Sequence, residues 1–245
     1  MFRSARIEGV ELEAVPRDFD RFLMINPGGY KRSSAVRRED ISRPLAHGSF
    51  GTQGYREGQV FTFEGVAKRA HSFEMEALEN HVRGICADGG WSKLTIDGGT
   101  GSQWANVGLS SIDFDVLGVD PRLAEFQIQF WAPDPRLYGE QRDFAGGQPA
   151  LNHGSFPATP RLLVGAGSGP YTVTGANGRI VTVSAAPNAA HEIDFATGGL
   201  FLNGIRQINA IAVYQPWDVP PGLPGVTATI SGSRTLVQRV TDTFI

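Results

Sequence analysis

The sequence predicts a mainly β protein of two domains, an N-terminal β-sandwich carrying one α-helix and a C-terminal β-sandwich or jelly roll. Three observations carry that prediction. Two segments alternate with period two: Ile112, Phe114 and Val116 against Ser111, Asp113 and Asp115, then Ala124, Phe126, Ile128 and Phe130 against Glu125, Gln127 and Gln129. A single segment has a convincing helical stripe. The 31 glycines and 15 prolines among 245 residues are about one residue in five, below the roughly 25–30% of low-complexity chains, and supply turns between many short strands.

Taken in order, residues 7–12 read as a first strand and 22–25 as a second, ended by Asn26-Pro27-Gly28-Gly29. Residues 31–56 then show few apolar side chains and no sustained period, as an extended arm would. Within it Lys31, Arg32, Arg37, Arg38 and Arg43 oppose only Glu39 and Asp40 up to residue 43. Residues 59–66 place Phe61 and Phe63 on one face of a core strand. The helix is predicted over about 73–86: Ser72 can cap it, Glu74 and Glu76 suit its dipole, and Met75, Leu78, Val82 and Ile85 recur at helical spacing. Burying that stripe contributes roughly 6–12 kcal/mol gross. After Asp88-Gly89-Gly90, Leu94 and Ile96 alternate with Lys93, Thr95 and Asp97, and the two period-two strands complete a domain of residues 1–138.

Residues 139–157 dissolve into Gly, Pro, Asn and Ser and read as a linker. Beyond them short strand candidates recur at 161–164, 171–174, 179–183, 192–195, 200–202, 210–214, 227–230 and 236–240. Residues 158–245 are therefore expected to form a second sandwich that folds alone. An open N-terminal sandwich would leave strand edges unpaired, and assembly with further copies would cover them.

Bulk properties narrow the function. A formal net charge of −3 offers no field for capturing nucleic acid. No apolar run approaches the roughly 18–20 residues that cross a bilayer. Arg3, Arg6, Glu8, Glu11 and Glu13 stand where a signal peptide would be apolar, so a soluble protein made in the cytoplasm is expected. Cys86 is the only cysteine, so no internal disulfide can form. His47, His71, His81, His153 and His191 never take paired metal spacings, and neither a G-x-S-x-G elbow nor a phosphate loop occurs. Asp113 with Asp115, and Glu192 with Asp194, read as solvated strand faces; a glycosidase would need opposed carboxylates at roughly 5–9.5 Å. No enzyme, metal or cofactor is expected.

One loop is rigid and aromatic. Residues 214–225 read Tyr-Gln-Pro-Trp-Asp-Val-Pro-Pro-Gly-Leu-Pro-Gly. Either Trp217 folds back to cap its own sandwich, or Tyr214 and Trp217 contact a neighbouring protein or stack on a sugar.

The order of these pieces resembles the distal tail protein family of long-tailed bacteriophages. The strings that carry it are His47-Gly48, Gln59-Val60-Phe61-Thr62-Phe63-Glu64-Gly65, Ala132-Pro133-Asp134-Pro135-Arg136-Leu137-Tyr138-Gly139, and Ile193-Asp194-Phe195 followed by Leu202-Asn203-Gly204. The resemblance implies a galectin-like C-terminal sandwich, a hexameric ring of this chain, and a seat at the virion tail tip after assembly in the bacterial cytoplasm. It implies contact with the tail tube protein and the tail hub or tail-associated lysin protein, and extends to the tape measure protein and receptor-binding proteins. It implies no catalysis.

Candidate contacts follow. Arg32, Arg37, Arg38, Arg43 and His47 are candidates for the subunit or tube interface, since arginine's planar fork suits carboxylate pairing at interfaces. Asp113, Asp115 and Glu125 are candidates for the wall of a bore that DNA would traverse, and Tyr214 and Trp217 for partner or glycan contact. The alternative reading is a carbohydrate-binding module that recognises host surface glycans through the C-terminal sandwich.

Overall fold

Alternation of large apolar and polar side chains shapes the first half of the chain. The computed structural model describes residues 2–99 and 101–245, which divide between two units, Met1–Leu137 and Tyr138–Ile245. The first unit contains β1 (Phe2–Ile7), β2 (Val10–Glu13), β3 (Phe22–Ser33), β4 (Val36–Arg37), β5 (Ile41–Ser42), β6 (Ser49–Phe50), β7 (Tyr55–Arg56), β8 (Gln59–Lys68), helix α1 (Ser72–Gly84), β9 (Ser92–Gly98), β10 (Gly101–Val116) and β11 (Leu123–Ala132).

The sheet does not stay open as expected. Among the described residues its strands run β11-β8-β3-β2-β1-β9-β10, and β10 pairs back onto β11, closing a barrel. Closure rests on the 16-residue β10. Its first half pairs with β9 from Gly101 to Val107, and its second half pairs with β11, with a bulge between Leu109 and Ser111 where the strand turns the corner. The open edges that a sandwich would have presented are thereby removed.

Inside the barrel Phe61, Phe63, Ile128 and Phe130 are fully buried, with Phe63 opposite Ile128 and Phe61 opposite Phe130. Gly65 is required by a close approach of strands. A Cβ there would collide with the Met24 carbonyl oxygen and lie 2.8 Å from Phe126 Cζ. The helix buries Met75, Leu78 and Val82, with Ile85 just beyond it. It begins one residue earlier than expected: His71, not Ser72, holds the cap position and makes no side-chain cap bond. Arg21 to Glu74 at 2.6 Å and Arg83 to the Phe114 carbonyl at 3.1 Å tie the helix to the wall.

The second unit contains β12 (Leu137–Ala145), β13 (Pro149–Asn152), β14 (Arg161–Val164), β15 (Tyr171–Thr174), β16 (Ile180–Val183), β17 (His191–Asp194), β18 (Gly199–Leu202), β19 (Ile205–Gln207), β20 (Ile211–Tyr214), β21 (Gly222–Thr227), β22 (Thr229–Ile230) and β23 (Leu236–Phe244). One sheet runs β12-β23-β14-β17-β18-β19, a second runs β20-β16-β15-β22, and β13 pairs with β21. Leu162, Ile193 and Leu200 from the first share one core with Val173, Val181 and Val183 from the second. These are two faces of one sandwich.

The stretch 139–157, expected as a linker, is not one. It holds most of β12 and all of β13, and Asn152 within it is fully buried. The Asn152 side chain donates to the carbonyls of Phe156 (2.7 Å) and Val219 (3.2 Å) and accepts from the N–H groups of Gly154 (2.9 Å) and Thr243 (3.2 Å). One amide thus joins β13, the loop before β21 and the end of β23.

Candidate functional site

The arm is a β-hairpin that prolongs β3 and β8. Ser33 pairs with Val60 at its root, Val36 with Arg56 beyond it, and Ile41 with Phe50 towards the tip. Nearly every residue from 35 to 56 is exposed, so the hairpin has no core of its own. Val36 (50%), Ile41 (51%), Leu45 (101%), Phe50 (52%) and Tyr55 (61%) stand open to solvent. Such a surface is the mark of an element that becomes buried against something else.

The five candidate residues on this arm are spread along it. Arg32 lies at the root opposite Phe61, and with the Gln59 amide oriented to satisfy its neighbours its Nε donates to that oxygen at 3.0 Å. Arg37 lies in β4 opposite Tyr55. Arg43 stands over the Phe50 ring at 5.6 Å, and its backbone N–H donates to the carbonyl of Gly48, beside exposed His47. Arg37, Arg38 and Arg43 make no ion pair among the described residues. Exposed, unpaired guanidinium groups on an extended hairpin leave their donors available to a partner.

Asp113, Asp115 and Glu125 come together on the outer wall of the barrel. Asp113 is opposite Gln127 and Asp115 is opposite Glu125, and with Asn26 and Glu64 they line a polar concavity of about 400 Å³. The Gln127 amide and the Lys31 ammonium hold the Glu64 carboxyl below the ordinary carboxylate range. The Glu64 carboxyl is therefore anionic at neutral pH.

In the second unit the two aromatic candidates part company. Tyr214 is 38% exposed and lines a cavity of about 680 Å³ with Arg206, Ile208 and Asn209. Trp217 is 2% exposed, which fits the reading in which it caps its own sandwich and not the candidate partner or glycan contact. Its ring lies directly on Gly175 and meets Phe195 edge-on at 4.8 Å. Its loop is strapped down on both sides, by Arg179 to the Pro216 carbonyl at 2.6 Å and by mutual backbone bonds between Val219 and Ala158. Proline stiffness here fixes a cap on the core.

Histidine chemistry stays local. His191 Nε2 accepts from the Tyr171 hydroxyl at 2.6 Å while Nδ1 donates to the Ala189 carbonyl, and burial pushes the imidazole below its ordinary range. Among the described residues no group of three or more His, Cys, Asp or Glu side chains is placed to hold a metal ion. Among the described residues no helix is long and apolar enough to cross a membrane.

One exposed feature escaped the sequence reading. Trp91 (57% exposed) and Trp131 (43%) form a pair on the barrel wall, with ring centroids 5.8 Å apart. Its signal was present: Trp131 falls on the polar phase of β11, with Glu125, Gln127 and Gln129.

In sequence, no protein-family model and no curated protein matches this chain. Solved structures do match in fold. The class is a closed barrel with one helix, followed by a sandwich. That whole arrangement is similar to the crystal structure of the Dit protein of phage SPP1, described as a paradigm of the hub adsorption apparatus in Gram-positive infecting phages. The TM-score is 0.74 at 13% identity, covering 99% of each chain. A chain of the phage p2 baseplate in its activated conformation with Sr gives 0.50 at 8% identity over 97% of each chain. The likeness drawn from sequence strings is thus met by a shared fold along nearly the full length.

Proposed function

We propose that this chain is a structural subunit of a bacteriophage tail tip, a distal tail protein whose copies form a hexameric ring between the tail tube and the tail hub. The observation that carries the reading is the fold shared with SPP1 Dit across 99% of both chains. The arm supports it independently, because an exposed hairpin rich in apolar and unpaired basic side chains is suited to holding copies together. In this reading Arg32, Arg37, Arg38, Arg43 and His47 contact a neighbouring subunit or the tube, and the function is mechanical and not catalytic. Asp113, Asp115 and Glu125 face the bore, where carboxylates would repel DNA phosphates and leave passage free. Partners in the virion are the tube protein and the hub or lysin protein, with tape measure and receptor-binding proteins beyond them, and assembly takes place in the host cytoplasm.

The test is an assembly assay on the variant Arg37→Ala/Arg38→Ala/Arg43→Ala. These side chains are exposed, so thermal unfolding should stay within about 0.5 kcal/mol of the parent, while ring formation weakens. Unchanged ring assembly by this variant would remove the arm from the interface.

A second reading, glycan recognition by the C-terminal sandwich, is favoured by the cavity beside Tyr214 and Arg206. Binding of the purified protein on a glycan array, lost in Tyr214→Ala, would support it.

A further inference from the structure

We propose that the Trp91–Trp131 pair is the seat for the arm of a second copy, the arm's arginines lying over the indole faces. This deepens the ring reading by naming the surface that receives the arm.

The pair is a prepared surface. Trp91 packs over Gly108, where an added Cβ would come within 3.3 Å of its Cζ3, and Trp131 lies over Gly58, where a Cβ would crowd the indole and the Ala132 carbonyl oxygen at 2.9 Å. The glycines let both rings approach the backbone closely, while about half of each side chain stays exposed. Two large apolar groups on the wall of a barrel whose core is already complete stabilise that barrel little, so their exposure calls for an occupant.

Geometry indicates whose arm can reach them. Val60 pairs with Trp131 on one side and with Ser33, the root of the arm, on the other. The pair therefore sits at the base of its own arm. An extended hairpin rising about 3.3 Å per residue carries the tip about 30 Å away from that base. The tip cannot return to its own pair, but it can reach the pair on an adjacent copy. Repeated around a ring, that head-to-tail contact is heterologous and closes by rotation.

Chemistry indicates why the arm fits. Its arginines Arg37, Arg38 and Arg43 carry no ion pair among the described residues, and a guanidinium group stacks on an indole face better than on other aromatic rings. Cation–ring pairing already occurs within the unit, with Arg43 over Phe50 at 5.6 Å and Lys93, two residues along from Trp91, over Trp104 at 4.6 Å. Leu45 and Ile41 supply the apolar area that two tryptophans would cover.

The experiment compares full-length wild type, Trp91→Ala/Trp131→Ala, Trp91→Phe/Trp131→Phe and the triple arm-arginine variant by sedimentation velocity across a concentration series. The double Ala variant should weaken association at least tenfold and the double Phe variant much less, each with a wild-type far-ultraviolet circular dichroism spectrum and cooperative unfolding. Combining the double Ala and arm variants should add little to either alone. A photo-crosslinker replacing Phe50 should label the strand that carries Trp131 in another copy. Wild-type association of the double Ala variant would overturn the docking while leaving the ring intact. Additive losses, or crosslinks that miss Trp131, would mean that the arm docks elsewhere. A wild-type chain that stays monomeric at every concentration and in the virion would overturn both the ring and its seat.

Discussion

Replacing Asn152 by Ala tests whether the second unit begins near Tyr138 or only at residue 158. The side chain is fully buried, and its amide makes hydrogen bonds to the Phe156 and Val219 carbonyls and to the Gly154 and Thr243 N–H groups. Each bond has a net worth of about 0.5–1.5 kcal/mol, and a buried group left without a partner costs about 1–3 kcal/mol. Some of the four regain partial satisfaction, so the substitution should cost about 3–5 kcal/mol. For a unit of this size that is a fall of about 12–20 °C in Tm. The assay is thermal unfolding of residues 138–245, followed by circular dichroism. By the same reasoning the fragment 158–245, which lacks β12, β13 and Asn152, should not reach the native fold. A cooperative 158–245 fragment, or an Asn152→Ala variant within about 3 °C of its parent, would refute this boundary.

Three further outcomes are expected. Gly65→Ala should destabilise the barrel by about 2–4 kcal/mol in denaturant titration, because its Cβ meets the Met24 carbonyl and Phe126. Gly118→Ala, which meets nothing within 4 Å, should be neutral. Burial holds the His191 imidazole low, so the unfolded chain takes up a proton more readily than the folded one. The resulting stability is full above the ordinary imidazole pKa of about 6.5 and is lost as pH falls below it, towards the folded value. Protonation would also set a cation near Arg234, which lies over the Tyr171 ring at 5.2 Å. Melting of the second unit should therefore drop between pH 7.5 and pH 5, and His191→Gln should flatten that slope; parallel slopes in parent and variant would exonerate His191. The triple arm-arginine variant should keep its fold and lose assembly, as sedimentation of the two proteins side by side would reveal.

The strands were legible where one face is apolar. Phe61 and Phe63, or Ala124 through Phe130, announce themselves because the period of the side chains is the period of burial. The helix was legible for the same reason. Closure of the barrel was not, since it depends on β10 pairing with different strands along its two halves, a non-local choice that no short window contains. β12 looked like a linker because it is held by charge as well as by apolar contact: Arg142 pairs with Asp242, and Arg239 with Asp143 at 2.7 Å. A polar strand of that kind has the composition of a loop. For Trp217 the sequence left two readings, a cap on its own sandwich or a contact with a neighbour, because a proline-stiffened loop serves either. Its burial depends on Gly175, more than forty residues away, which clears the space beneath its ring. The arm was legible from the absence of any core pattern, and its hairpin pairing only from the structure.

The most direct test of the central claim is electron microscopy of the purified full-length protein, with its mass measured in solution. Six-fold rings with an open bore, at six times the 26.4 kDa chain mass, are the expected result. A monodisperse monomer at high concentration, together with its absence as a ring in intact virions, would contradict it.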